Sequence, residues 1–325
     1  MKKTIYLILT VVAMVMMGCG QQSTENQGSL EGCDMAIFEN GKVTFYNSTT
    51  NTFIPFVAEK EYITSGAISK DQAFYYTVLK GDKLYLKQIN LVENPEKPVQ
   101  LTDWGLKKSD CYAESLGEFS PMCCYGVSPV IGIGYGVFED SGDVYAFLDT
   151  KFYNAKSNKL GEEDEVSEED DFDVDAAERY QYEDNFVIVR EEVEVDEEEE
   201  EYMNGMKNYF FYVTEEDSVC LSDQIDFADF YEAEFELLSI SPSHEYIAYG
   251  APTSWGFAGT PSGPLCFATL DGKVQKALDN TDFANICYGW LSNGKLAYSD
   301  MEGIKTVSSD GTVTLISPSH VFVTK

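Results

Sequence analysis

The chain has 325 residues, with 22 Lys and Arg against 56 Asp and Glu, for a net charge of −34. That balance excludes a nucleic-acid binder, which needs a basic face to displace counterions from phosphate. At 44% apolar and 14% aromatic residues the chain is too hydrophobic to be disordered throughout, and its two His exclude chemistry built on a His cluster.

The first stretch reads as an export signal. Lys2 and Lys3 precede an apolar run over residues 5–17, the length of a signal-peptide core and short of the roughly 20 residues that span a bilayer. Met16-Met17-Gly18-Cys19 then resembles a bacterial lipobox, with Met16 where Leu is usual. The resemblance implies cleavage after residue 18, lipidation of Cys19 and anchoring to a membrane by several acyl chains. Residues 19–31 then form a polar tether, and 32–325 the folded body. No acidic cluster follows Cys19 at once, so the expected location is the outer membrane facing the periplasm, with surface exposure as the alternative.

The body reads as short strands separated by Asn, Asp, Gly and Ser turns, with no sustained helical period. Residues 34–38, 43–47 and 52–56 form three strands around a turn at 47–51. Further hairpins pair 84–89 with 99–102, 209–213 with 219–222, 266–270 with 274–278, and 304–307 with 313–317; another begins at 144–148 and turns near 150. The six turns recur on average about every 52 residues, above the roughly 40–45 of a four-stranded propeller blade. The last segment, 320–323, is a lone strand that would complete the first sheet as its fourth member.

A second signature precedes several hairpins. It reads Ile68-Ser69-Lys70-Asp71-Gln72-Ala73-Phe74, then Ile240-Ser241-Pro242-Ser243-His244-Glu245-Tyr246, then Trp290-Leu291-Ser292-Asn293-Gly294-Lys295-Leu296. Leu270-Asp271-Gly272-Lys273 and Ser309-Asp310-Gly311-Thr312 close the following hairpins. This pattern resembles the repeats of TolB-like (WD40-like) β-propellers, over 235–317 and, less regularly, 63–103; residues 105–232 carry little of it. The resemblance implies an all-β fold, a β-propeller of six four-stranded blades closed by pairing of the first and last strands. A pair of β-sandwich domains is the alternative. Neither fold specifies a function.

Residues 162–201 hold 22 acids against Arg179 and Arg190, including six in a row from Asp196 to Glu201. Same-face carboxylates on a strand lie roughly 6.6 Å apart, inside the Debye length of about 8 Å. The expectation is a solvated insertion, with a strand possible at Phe186-Val187-Ile188-Val189. Within it, Asp171, Asp173 and Asp175 alternate as in a calcium loop, but Ala176 takes the turn glycine's place and Tyr182 that of the bidentate acid. No cofactor is expected beyond calcium at that point.

Besides Cys19, the seven cysteines show no regular spacing. Cys220, Cys266 and Cys287 read as buried thiols, and Cys111 with Cys123 or Cys124 is a disulfide option. No nucleophile elbow, phosphate loop or zinc-protease motif occurs. No catalytic residue is assigned. The loop 251–264 places Trp255 and Phe257 among Gly and Pro, where they would serve at a rim as ligand or partner contacts, with Trp104 as a further candidate. The function expected is a non-enzymatic envelope lipoprotein whose rim loops bind a protein or glycan. The alternative is a carbohydrate-active hydrolase or lyase on the same scaffold.

Overall fold

The structure, a computed structural model, describes residues 27–69, 71–107, 121–124, 130–138, 146–161, 185–192, 206–215, 217–225, 235–252, 254–255, 261–283 and 286–325. It is all-β, in antiparallel meanders. Sheet one runs Val321–Thr324, Met35–Glu39, Lys42–Asn47, Thr52–Pro55 from one edge to the other. Sheet two takes Tyr62–Ile68, Ala73–Lys80, Lys83–Asn90 and Val99–Lys107 in chain order, and sheet three Pro121–Cys124, Val130–Phe138, Ala146–Asn154 and Lys159–Gly161. Sheet four has three described strands, Phe186–Glu192, Met206–Val213 and Ser218–Cys220. Sheet five holds Glu236–Ile240, Tyr246–Gly250, Leu265–Thr269 and Gln275–Ala277; sheet six holds Tyr288–Trp290, Leu296–Asp300, Gly303–Val307 and Val313–Ser317. A two-stranded ribbon, Ser254–Trp255 with Pro261–Ser262, interrupts sheet five.

The sheets join through side chains on both faces. Successive strand residues point to opposite faces, so one strand serves two seams. In Ala73–Lys80, Phe74 and Tyr76 pack with Phe45 and Phe56 of the first sheet's side, while Tyr75 packs with Ile131 and Tyr153 of sheet three. In Met35–Glu39, Ala36 and Phe38 face sheet two, while Met35 and Ile37 face Ala297 and Ile304 of sheet six. In Tyr246–Gly250, Ala248 faces Leu296 and Tyr298 of sheet six, while Ile247 and Tyr249 face Phe210 of sheet four. The packed order is therefore three, two, one, six, five, four, a propeller-like arrangement rather than a sandwich of two sheets. The face of sheet four turned away from Phe186 and Ile188 carries Val187 and Val189, each 42% exposed. Among the described residues no packed cluster joins sheets three and four.

The local turns follow from their chemistry. Ser69 Oγ accepts the Ala73 N–H at 3.1 Å, and Ser241 Oγ accepts the Tyr246 N–H at 3.1 Å. The chain must then turn through left-handed backbone, at Gln72 (φ 67°), His244 (φ 56°) and Gly294 (φ 81°), the same position of the three copies. His244 is thus an exposed turn residue. In the second motif, Asp271 Oδ1 accepts the Lys273 N–H and Asp310 Oδ1 the Thr312 N–H.

Most expected strands occur where the sequence places them, including Val321–Thr324 paired with Met35–Glu39 and the strand Phe186–Glu192 inside the acidic segment. The turn expected near residue 150 does not occur there. Thr150 lies mid-strand in Ala146–Asn154, and the chain turns at 155–158, where Asn154 Oδ1 accepts the Lys156 and Ser157 N–H groups. An Asn that caps a turn is a stronger signal than the polar Asp149-Thr150-Lys151 run. The folded body also starts earlier than residue 32: Leu30 is fully buried against sheet one.

Cys33 and Cys266 are buried free thiols, while Cys220 and Cys287 are half-buried. Burial, reinforced by Asp34, pushes the Cys33 thiol up to about 11. The side chains of Cys111, Cys123 and Cys124 lie outside the described residues.

Candidate functional site

Of the candidate site residues singled out from the sequence, Trp104 alone has a described side chain. Cys19, Phe257 and the Asp171, Asp173 and Asp175 triplet lie outside the described residues. Trp255 pairs through its backbone with Pro261, and its side chain is outside the description. Trp104 is fully buried between sheets two and three, with its indole Nε1 lacking an acceptor, so it is a core residue and not a rim contact. It lies within Val99–Lys107 of sheet two, and the apolar body of its indole fills the seam with Ile131 and Tyr153 of sheet three. Among the described residues no three His, Cys, Asp or Glu side chains gather as metal ligands.

The structure builds a concavity elsewhere. A groove of about 1220 Å³ opens where sheet one meets sheet two. Its walls come from the turn after Met35–Glu39 and from the connection that carries the chain from Thr52–Pro55 to Tyr62–Ile68. Gln27 braces that connection: its Oε1 accepts the Val57 N–H at 2.8 Å and its Nε2 donates to the Pro55 carbonyl at 3.1 Å.

Glu59 anchors the groove's inner wall. Its carboxylate accepts from Lys87 Nζ at 2.8 Å and the Tyr76 hydroxyl at 3.0 Å on Oε2, and from the Lys60 and Glu61 N–H groups at 2.8 and 2.9 Å on Oε1. The side chain is 5% exposed, that of Lys87 17%. Burial by itself would raise the carboxyl, but the Lys87 ammonium, the two backbone donors and the Tyr76 hydroxyl outweigh it and hold Glu59 below the ordinary 4.5. Burial and the neighbouring Glu59 charge push the Tyr76 hydroxyl far up, so it stays a donor. A carboxylate with four donors around it has no lone pair left for acid or base work. The cluster positions the wall.

A pH test follows. Glu59→Gln should cost about 2–3 kcal/mol at pH 7, because it leaves the Lys87 ammonium half-paired in a buried place. A carboxyl held low in the folded state stabilises fully above its ordinary value, and that stabilisation is lost as pH falls through the lower folded value. Urea unfolding of wild type and variant should therefore differ at pH 7 and converge as the pH drops well below 4.5. A gap that persists unchanged in acid would contradict the assignment.

Tyr62 stands at the groove's mouth. Its ring lies against Gly41, where an added β-carbon would overlap it, and the residue is 54% exposed. Gly41 itself turns with φ 74°. Neither Glu59 nor Tyr62 was evident from the sequence. The available signal was the charged run Glu59-Lys60-Glu61 ending on an aromatic and, two strands earlier, an Asn40-Gly41 turn, and only the fold brings those two segments together.

Comparison with known proteins gives little further definition. No family model matches the chain, and no curated protein is similar to it. Among solved structures it is similar to a protein from Lactobacillus plantarum, at 12% identity and a TM-score of 0.26 over 88% of this chain and 82% of that one. It is similar to the Dos1 propeller at 11% identity and a TM-score of 0.27, over 86% of this chain and 65% of that one. PorZ, a surface component of the type-IX secretion system of Porphyromonas gingivalis, is similar at 11% identity and a TM-score of 0.22 over 86% of this chain, which spans 38% of PorZ.

Proposed function

We propose that the chain is a lipid-anchored protein of the bacterial envelope whose propeller binds a protein or polymer partner through one rim and performs no catalysis of its own. The observation that carries this reading is the groove between sheets one and two. Its walls are fixed by internal hydrogen bonds, and its most buried carboxylate is consumed by them. Rigid walls with saturated polar groups suit recognition, since little ordering cost remains on binding. The lipobox-like Met16-Met17-Gly18-Cys19 supports the anchor, and the docking of Leu30 supports a short tether that holds the body near a membrane surface. In this reading the outer membrane, periplasmic side, is the location, and the acidic segment 162–201 is a specificity element.

Two experiments test it together. Fatty-acid labelling should mark the wild type and not Cys19→Ala, with the variant released from membranes. Crosslinking in the native envelope should capture a reproducible partner, and deletion of residues 162–201 should reduce that capture. An unlabelled wild type would remove the anchor. Turnover of a cell-envelope glycan by the purified protein, with no partner captured, would favour the hydrolase or lyase instead.

A further inference from the structure

We infer that the groove between sheets one and two is a binding site for a neutral oligosaccharide, with Tyr62 as its stacking platform. The inference rests on the binding reading above and names its ligand class.

The geometry of Tyr62 is that of a supported aromatic face. One side of the ring lies on the Gly41 backbone, and the residue remains 54% exposed as part of the groove lining. An exposed aromatic is common and by itself means little. Here Gly41 keeps the space for the ring, so the platform is held in place before any ligand arrives. The C–H face of a pyranose packs on such a ring, while its hydroxyls need polar partners at the edges. The same groove supplies these through Asn40, Lys42 and Glu61. Its volume of about 1220 Å³ exceeds the roughly 300–1,000 Å³ of small-molecule pockets and suits several linked sugar rings.

Charge selects the class. Lys42 and Lys60 line the groove with Glu59, Glu61 and Glu96, and Lys87 and Lys80 behind the wall pair with Glu59 and Glu61, the latter at 3.7 Å. No excess of positive charge awaits an anion. The chain as a whole carries −34, so a uronic-acid or phosphorylated polymer would meet repulsion during approach. A neutral glycan meets none.

The test uses the mature chain on an array of neutral and acidic oligosaccharides, followed by calorimetry with the best ligand. Neutral glycans should be retained and acidic ones not. Tyr62→Ala should weaken binding about tenfold or more, Tyr62→Phe should keep it within about threefold, and Gly41→Ala should weaken it by displacing the ring. Tyr62 is exposed, so thermal melting of its variants should match wild type. Equal binding by Tyr62→Ala, a preference for acidic glycans, or no glycan retained would each overturn the inference. If glycans fail while envelope crosslinking still captures a partner, the groove assignment falls and the binding reading stands. If both fail, both fall.

Discussion

Ending the chain at Pro318, which removes residues 319–325, should abolish cooperative unfolding or lower its midpoint so far that little folded protein remains at room temperature. The lost strand, Val321–Thr324, pairs with Met35–Glu39 and fills the inner edge of sheet one. Phe322 is 3% exposed in the core between sheets one and six, and truncating a buried Phe costs about 3–5 kcal/mol. Further contacts go with it. The Ser319 hydroxyl donates to the Phe38 carbonyl at 2.7 Å, and the Lys325 N–H to the Asp34 carbonyl at 3.0 Å. Thr324 sits so close over Gly289 of sheet six that no β-carbon fits there. Domains are stable by about 5–15 kcal/mol, so a loss of this size consumes most of the margin. Urea unfolding followed by tryptophan fluorescence would measure it. A synthetic peptide of residues 318–325 added in trans should restore part of the transition. A truncated chain that unfolds at the wild-type midpoint would show that the strand is an ornament on sheet one and not its inner member.

Asp34→Ala should cost about 3–5 kcal/mol, the largest effect expected of any single polar substitution here, because it strands several buried donors at once. Asp34 is 1% exposed and joins the first sheet to the last. Its Oδ1 accepts the Ser48 N–H at 3.0 Å, and its Oδ2 accepts the Ser48 hydroxyl at 2.5 Å and the Ser292 N–H at 2.6 Å. Asn293 completes the joint by donating its side-chain amide to the Ser48 carbonyl at 3.0 Å. Asp34→Asn keeps the size but can present only one accepting oxygen to three donors, so it should rescue only in part. Ser48→Ala removes one donor together with its bond and should cost about 1 kcal/mol. Chemical unfolding of the three variants checks the order. An Asp34→Ala protein within about 0.5 kcal/mol of wild type would mean that water satisfies those donors and that the joint contributes little.

Legibility in the sequence varied with the range of the interaction. The hairpins at 269–274 and 308–312 were plain because an Asp side chain caps its own turn two residues on, and the left-handed residue follows at once. The turn near 150 was misplaced by five or so residues because polar residues also occur within strands, and Asn154 was the better marker. Trp104 shows a different failure. A tryptophan within a closing strand has no sequence mark that separates a rim contact from a seam filler, and packing against Ile131 and Tyr153 decides the case.

What the sequence by itself determined is the material of the fold: strand identity, turn chemistry, the pairing of the last strand with the first sheet, and the acidic segment. Each of these rests on residues close in the chain, or on a strand count that leaves one unpaired member. What only the tertiary structure decided is which neighbours each strand face meets, and hence where the groove and the Asp34 joint lie. Strands such as Ala73–Lys80 are buried on both faces, so their apolar residues run without alternation. A pattern without alternation carries no direction. Phe74 and Tyr75 look alike in the sequence, yet one packs toward sheet one and the other toward sheet three.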